Sequence, residues 1–273
     1  MKAVNEHAKL YIEGIIPEEM KDSYIEQSSE GDLLEVQIRE ADGRTKTLFH
    51  GLVSRISVRS VRGIYYLELE GISHTSLLDI RQVSRSFQHE AMSYSSLIEQ
   101  VIADYDGSDC LDHASGTSTL GGFTLQYLET DWQFLKRMAS RFGAVLIPEA
   151  SASAPKFHFG LPDGRLWELP SEPFVVARNV SEYLRTEAVE GGAAEADFTS
   201  YRVNTEQLFQ LGDRVMFQEG ELTVAASTAR LEDGVLRYDY VLVPEEGVRQ
   251  RRLYNEEVTG AALQGKILQV KGS

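Results

Sequence analysis

The stretch from Phe123 to Pro148 constrains the fold most, because it carries the signals of a strand, a capped helix, a helix stop and a second strand in that order. Phe123, Leu125 and Tyr127 alternate with Thr124, Gln126 and Leu128, nearly the two-residue period of a half-buried strand. Thr130, three residues before Gln133, fits a capping box in which each side chain answers the other's backbone N–H. Trp132, Leu135, Ala139 and Phe142 fall on one helical stripe, with Phe134 and Met138 beside it. Gly143 stands where a helix ends on a left-handed residue, and an apolar run follows at once. The expected unit is an aromatic-rich helix laid on a sheet, with Trp132 and Phe142 in its core.

Strand patterns surround this unit. Lys9 to Ile15 is apolar on alternate residues and stops near Pro17. Leu33 to Arg39 alternates aliphatics with charges, and 41–44 reads as a hairpin turn. Thr47 to Val61 follows, and Arg62-Gly63 turns the chain into Ile64 to Glu70. Ser93 caps a helix whose apolar residues Tyr94, Leu97, Ile98, Val101, Ile102 and Tyr105 keep one face. Asp106 to Gly122 reads as a polar loop without periodicity. Ser151 to Pro155 makes a turn into Phe157-His158-Phe159-Gly160, the expected hairpin partner of Ala144 to Ile147. Strand character returns after Leu169: Leu211 to Phe217, a turn at 218–221, Leu222 to Arg230, an Asp233-Gly234 turn, and Val235 to Val243. That order repeats Leu33 to Glu70, and the tyrosine pairs Tyr65-Tyr66 and Tyr238/Tyr240 recur in both last strands. Two related β-domains flanking a middle α/β unit is the economical reading.

The wording of the central run is more specific than its period. Tyr127, Glu129, Asp131, Trp132, Phe134, Leu135, Arg137, Ala139, Arg141 and Gly143 form a pattern that resembles the hub segment of contractile injection machines, namely the late control protein D family of tailed phages and the VgrG-type proteins. Asp79 to Gln88 is similar to the family's join between its first barrel and middle domain. The resemblance covers roughly Leu33 to Val243, most strongly in the middle. It implies a mainly β fold with a smaller α+β middle domain, in which two similar antiparallel β-barrel domains of the tube type flank an α/β insert. The boundaries it implies are 1–84 for the first barrel, 85–165 for the middle, 166–262 for the second barrel, and 263–273 as a linker toward a spike domain.

The function so implied is structural. A homotrimer would ring a central hole with six similar barrels, adapting a hexameric inner tube to a trimeric spike. The implied partners are other copies of the chain, a spike or needle protein, and tail tube and baseplate components, after synthesis in the cytoplasm. Trimer or tube docking is expected on the strand edges near Ile64 to Leu69 and Leu236 to Val241. Gly265 to Ser273 resembles the start of the small barrel that leads into a needle; the spike is either a separate protein or continues past Ser273.

Composition narrows the alternatives. A chain of 273 residues with 42% apolar residues is enough for real cores. No run of eighteen apolar residues exists, so no membrane-spanning helix is expected. A net charge of −15 argues against general nucleic-acid binding; it suits a conduit wall that should not hold polyanions, and equally any soluble protein. The single cysteine, Cys110, leaves no internal disulfide framework.

Candidate chemistry is thin. His7, His50, His74, His89, His113 and His158 show no ligand spacing, and His158 reads as an outward strand residue between two phenylalanines. Asp104 to Asp112 is loosely like a calcium loop, but its glycine is fourth rather than sixth and the closing Glu is missing. Glu18-Glu19, Glu245-Glu246 and Glu256-Glu257 read as solvated faces, and Arg249 to Arg252 as a surface ion-pair patch. No catalytic, cofactor-binding or metal-ligating residue is expected, and no cofactor. The alternatives are a cell-wall glycan hydrolase using two carboxylates, or a carbohydrate-binding β-protein presenting Tyr65, Tyr66, Tyr238 and Tyr240.

Overall fold

The computed structural model describes residues 1–262 except Glu30, 40–42, Ser171 and Glu219. The expected linker at 263–273 and parts of the turns at 41–44 and 218–221 lie outside the described residues. The fold is mainly β, and the described strands form four sheets.

Strand β1 (Lys2–Ala3) is followed by β2 (Lys9–Ile16), a short helix α1 (Ser23–Glu26), β3 (Leu33–Arg39), β4 (Thr45–Val61) and β5 (Ile64–Ser73). The last four strands make an antiparallel sheet in the order β2-β5-β4-β3. Arg62 and Gly63 turn β4 into β5 with φ of 52° and 81°, the left-handed pair that suits the twist of a tight hairpin. Gly51 lets β4 close on β5, since a Cβ there would sit 2.3 Å from the Ile72 carbonyl oxygen. The inward residues of β3, Leu34 and Val36, join Leu10 around a small core of Ala8, Phe49 and Ala150.

The centre comprises β6 (Gln82–Phe87), α2 (Tyr94–Ile102), β7 (Asp109–Asp112), β8 (Thr124–Thr130), α3 (Asp131–Ser140), β9 (Leu146–Pro148) and β10 (Lys156–Phe159). The expected caps form. The Ser93 hydroxyl accepts from the Ser96 N–H, and Thr130 and Gln133 exchange side-chain-to-backbone bonds of 3.1 Å each. Gly143 ends the turn after α3 with φ 66°. Helices α2 and α3 bury Leu97, Val101, Trp132, Phe134, Leu135 and Met138 together with Phe157 and Phe159. β10 pairs antiparallel with β9, as expected, and also parallel with β7. The stretch read as a structureless polar loop therefore contains a strand. Its four residues carry no period of their own; the ladder from distant β10 imposes it.

Next come β11 (Leu166–Glu168), β12 (Phe174–Arg178), α4 (Val180–Glu190), β13 (Thr199–Thr205), β14 (Arg214–Phe217), β15 (Gly220–Glu232), β16 (Val235–Val243) and α5 (Glu245–Val248). Their sheet runs β11-β14-β15-β16-β13-β12, and β1 pairs with β15. Leu211-Gly212 forms a turn rather than strand, because the left-handed Gly212 (φ 84°) brings Asp213 back onto the Gln210 N–H at 2.8 Å. Helix α4 adds an element where the sequence pattern predicts none, although its caps are legible: Asn179 accepts from the Glu182 N–H, and Gly191 follows with φ 70°.

The inner four strands of this sheet, β13-β16-β15-β14, repeat the order β2-β5-β4-β3. The match extends to single residues. A bulge at Val53/Arg55 has its counterpart at Val224/Ala226, and the Arg62-Gly63 turn at Asp233-Gly234. The cross-strand ion pair Arg59–Glu68, at 2.7 Å, recurs as Arg230–Asp239. Each counterpart lies 171 residues further on (230 minus 59, 239 minus 68).

The first eight residues cross the molecule. Lys2 and Ala3 lie on Ser227 and Ala226; the Asn5 N–H donates to the Leu146 oxygen at 2.7 Å; and the Ala8 N–H donates to Ser73 in the first sheet at 3.0 Å.

Candidate functional site

The central motif is a structural lock. Asp131, 1% exposed, begins α3 and accepts from Arg85 on β6, from Gln126 on β8 (2.8 Å) and from the Tyr105 hydroxyl (2.7 Å). Burial, then the bond to Asp131, pushes the Tyr105 phenol up to about 12. Glu129 holds Arg137 in a two-pronged pair at 2.7 Å, and Arg137 also donates to the Leu125 oxygen. Arg141 reaches the Tyr94 hydroxyl at 3.0 Å. Phe134 stacks on Phe87, and Trp132 meets Phe157 edge to face while donating to the Asn5 oxygen. Most of the motif's residues thus tie β6, β8, α2 and α3 into one rigid wedge. Hydrogen-bonded charge pairs of this kind fix geometry even where they add little net stability.

Four of the six histidines pair in space. His50 and His74 share one hydrogen across 2.9 Å, and so do His113 and His158. His158 does face away from Phe157 and Phe159, but it is half-buried against His113 rather than solvated. Burial, then the neighbouring ring, lowers His74 and His158 below the usual histidine range. His7 bridges Thr75 (2.9 Å) and Asp79 (3.3 Å). No sequence spacing could have flagged these pairs, because their members lie 24 and 45 residues apart.

Among the described residues no three His, Cys, Asp or Glu side chains converge as a metal cluster would require. The Asp112 carboxylate is occupied by the Ala114 and Ser115 N–H groups and the Ser95 and Ser115 hydroxyls. The acidic pairs at 18–19, 245–246 and 256–257 sit in the first turns of short helices, where the helix dipole favours them. Arg249 pairs with Glu246 and Arg251 with Glu182. The four tyrosines do not share an exposed face. Tyr238 and Tyr240 are buried, and the Tyr240 hydroxyl accepts from the Phe209 N–H at 2.7 Å.

The apolar excess lies outside. Tyr11 and Ile15 (71% exposed) stand out on β2, and Leu33 on β3. Phe174, Val175 (63%) and Val176 are exposed on β12, with Val180 and Leu184 one turn apart on α4. The strand order makes β2 and β3 the edges of the first sheet and β11 and β12 those of the second. This corrects the expected docking edges: Ile64 to Leu69 and Leu236 to Val241 belong to β5 and β16, each flanked on both sides. The last strand of each hairpin is inserted between earlier ones, so sequence order misplaced it.

One four-strand arrangement is thus used twice around an α/β wedge, with its apolar surplus on outer strands. A family model for the phage tail baseplate hub (GPD) matches residues 27–261, and the chain belongs to that family. No curated protein matches it. Among solved structures it is similar to a type VI secretion component of E. coli described as resembling T4 bacteriophage tail proteins (TM-score 0.64, 14% identity, 92% of this chain and 74% of that one). It is also similar to a 43 kDa prophage tail protein of Shewanella oneidensis (0.66, 10%, 90% and 94%). A third is a tail protein of Neisseria meningitidis (0.60, 12%, 88% and 89%). No helix among the described residues is long and apolar enough to cross a membrane.

Proposed function

We propose that three copies of this chain close into a ring that joins a hexameric inner tube to a trimeric spike. The observation that carries this reading is the repeated strand order, matched to the residue in the bulge, the turn and the Arg–acid pair. Three chains would supply six sheets of one kind around a central opening. One face then approximates sixfold symmetry while the chain itself stays threefold. In this reading 1–84 and 166–262 are the tube-type units, 85–165 is the wedge that spaces them, and 263–273 leads toward the spike. The exposed apolar residues of β2, β3 and β12 are the surfaces that other copies, tube or baseplate cover. The chain's part is structural, and it works inside an assembled tail or injection particle.

The test is sedimentation of the chain with its spike protein at tens of micromolar, with Val175→Glu and Ile15→Glu as interface variants. A trimer lost in the variants is expected, with unfolding midpoints unchanged. A native chain that stays monomeric with the spike present refutes the ring. Clearing of a purified peptidoglycan suspension by the native protein would favour the hydrolase reading instead.

A further inference from the structure

We infer that residues 2–8 and 249–255 form one latch, closed by the Asn5–Gln250 amide pair, so that two segments far apart in sequence grip and release the wedge together. Asn5 puts each of its four polar groups to use. Its N–H donates to the Leu146 oxygen (2.7 Å), and its side-chain oxygen accepts the Leu146 N–H (2.8 Å). Its carbonyl oxygen accepts from the Trp132 indole N–H (3.3 Å), and its side-chain nitrogen donates to the Gln250 side-chain oxygen (2.7 Å). The backbone φ of 64° is a left-handed conformation that asparagine tolerates better than most residues. One side chain thus meets β9 and the segment after α5, while its own backbone meets α3.

Residues 249–255 form neither helix nor strand. They lie along the wedge through isolated bonds: the Gln250 N–H to the Gly143 oxygen (3.0 Å), the Leu253 N–H to the Ser140 hydroxyl (2.8 Å) and the Asn255 side-chain amide to the Tyr127 oxygen (2.8 Å). Arg249 covers Gly143, where a Cβ would come within 3.2 Å of the Arg249 Nε. The other half of the latch is as slight, with β1 two residues long and the Val4 N–H reaching the Ala225 oxygen at 3.1 Å.

Segments held by so few bonds open locally well before a packed core does. The Asn5–Gln250 bond is partly buried, so opening either segment leaves an amide of the other without its partner. The two openings therefore share one equilibrium, and the coupling is reciprocal. Tyr254, 74% exposed, stands on the second segment, so a contact that steadies or displaces it acts through Gln250 on the hold of β1 on β15. The latch lies within a single chain and does not depend on the ring reading.

Hydrogen exchange of the whole chain, read by mass spectrometry on peptides covering 2–8, 94–102 and 249–255, tests the latch. Gln250→Leu keeps the bulk and removes the acceptor. It should speed exchange in 249–255 and also in 2–8, each about two- to tenfold, as for one lost hydrogen bond. Asn5→Gly keeps the left-handed backbone without strain and should speed exchange in 249–255 by a similar factor. Gln250→Glu retains the acceptor and should show native rates in both segments. Native rates at 94–102, the buried helix α2, report that a variant is folded; should Asn5→Gly quicken that helix too, the two Gln250 variants decide. The inference is overturned if Gln250→Leu quickens 249–255 and leaves 2–8 at its native rate, or if Gln250→Glu behaves as Gln250→Leu does.

Discussion

Asp131→Ala should be among the most damaging single substitutions in the chain. The carboxylate is 1% exposed and accepts from three side chains, so its loss strands the Arg85 guanidinium, three-quarters buried, and removes a partner from the buried Gln126 amide. Removing one member of a buried ion pair costs about 3–5 kcal/mol. A stranded buried donor adds about 1–3 kcal/mol. Arg85 keeps 25% of its side-chain exposure and gains water on relaxing, so about 3–5 kcal/mol is expected in total. Asp131→Asn keeps the shape and loses only charge, for about 1–3 kcal/mol. Arg85→Met with Asp131→Leu should cost less than Asp131→Ala alone, because no charge is left unpaired. The assay is urea unfolding followed by Trp132 emission in a Trp167→Phe background, with hydrogen exchange on β6 and β8 to localise the loss. A cost under about 1 kcal/mol for Asp131→Ala, or a double variant as costly as the two singles summed, would refute the lock.

Trp132→Ala should cost about 3–5 kcal/mol, since the ring is 2% exposed and its edge contact with Phe157 and bond to Asn5 go with it; a loss below about 1 kcal/mol would contradict that burial. Stability should fall on acidification. His74 and His158 are held below the usual 6.5, so below that pH the unfolded chain binds more protons than the folded one. Stability is therefore full above 6.5 and declines as pH drops through the lowered folded values, by at most about 1.4 kcal/mol per pH unit per histidine. His74→Gln and His158→Gln should flatten the curve between pH 7 and 5, and curves parallel to the native one would exclude the pairs as its cause. Arg59→Ala should lower the melting midpoint more than Arg230→Ala, because Arg59 also pairs with Glu13 at 2.8 Å and lies over the Tyr66 ring; equal losses would show that these further contacts contribute nothing.

Local chemistry made much of this fold legible. The Thr130/Gln133 box, the Ser93 cap, the Gly143 stop and the two left-handed hairpin turns are each settled by two or three adjacent residues. The aromatic stripe of α3 likewise announced its core. Distant pairings were not legible: β7 exists through its ladder to β10, and the histidine pairs form only once their strands and loops meet. The edges of each sheet depend on β5 and β16 being inserted out of order, which periodicity cannot register. Helix α4 is a different case, for Asn179 and Gly191 signalled it while its exposed Val180 and Leu184 blurred the polar face.

The short ladder between β1 and β15 sets a timetable. Lys2 and its partner Ser227 lie about 225 positions apart. At about 5–20 residues per second, a nascent chain makes β1 roughly 10–45 s before β15 exists to receive it. Before that interval ends the first sheet and the wedge have all their own strands, yet residues 2–3 still have no ladder to join. Closing so long a loop carries an entropic cost that grows as the logarithm of its length. Residues 2–3 are thus among the last to settle, and the seal between the chain's two sheets waits on the completion of the second.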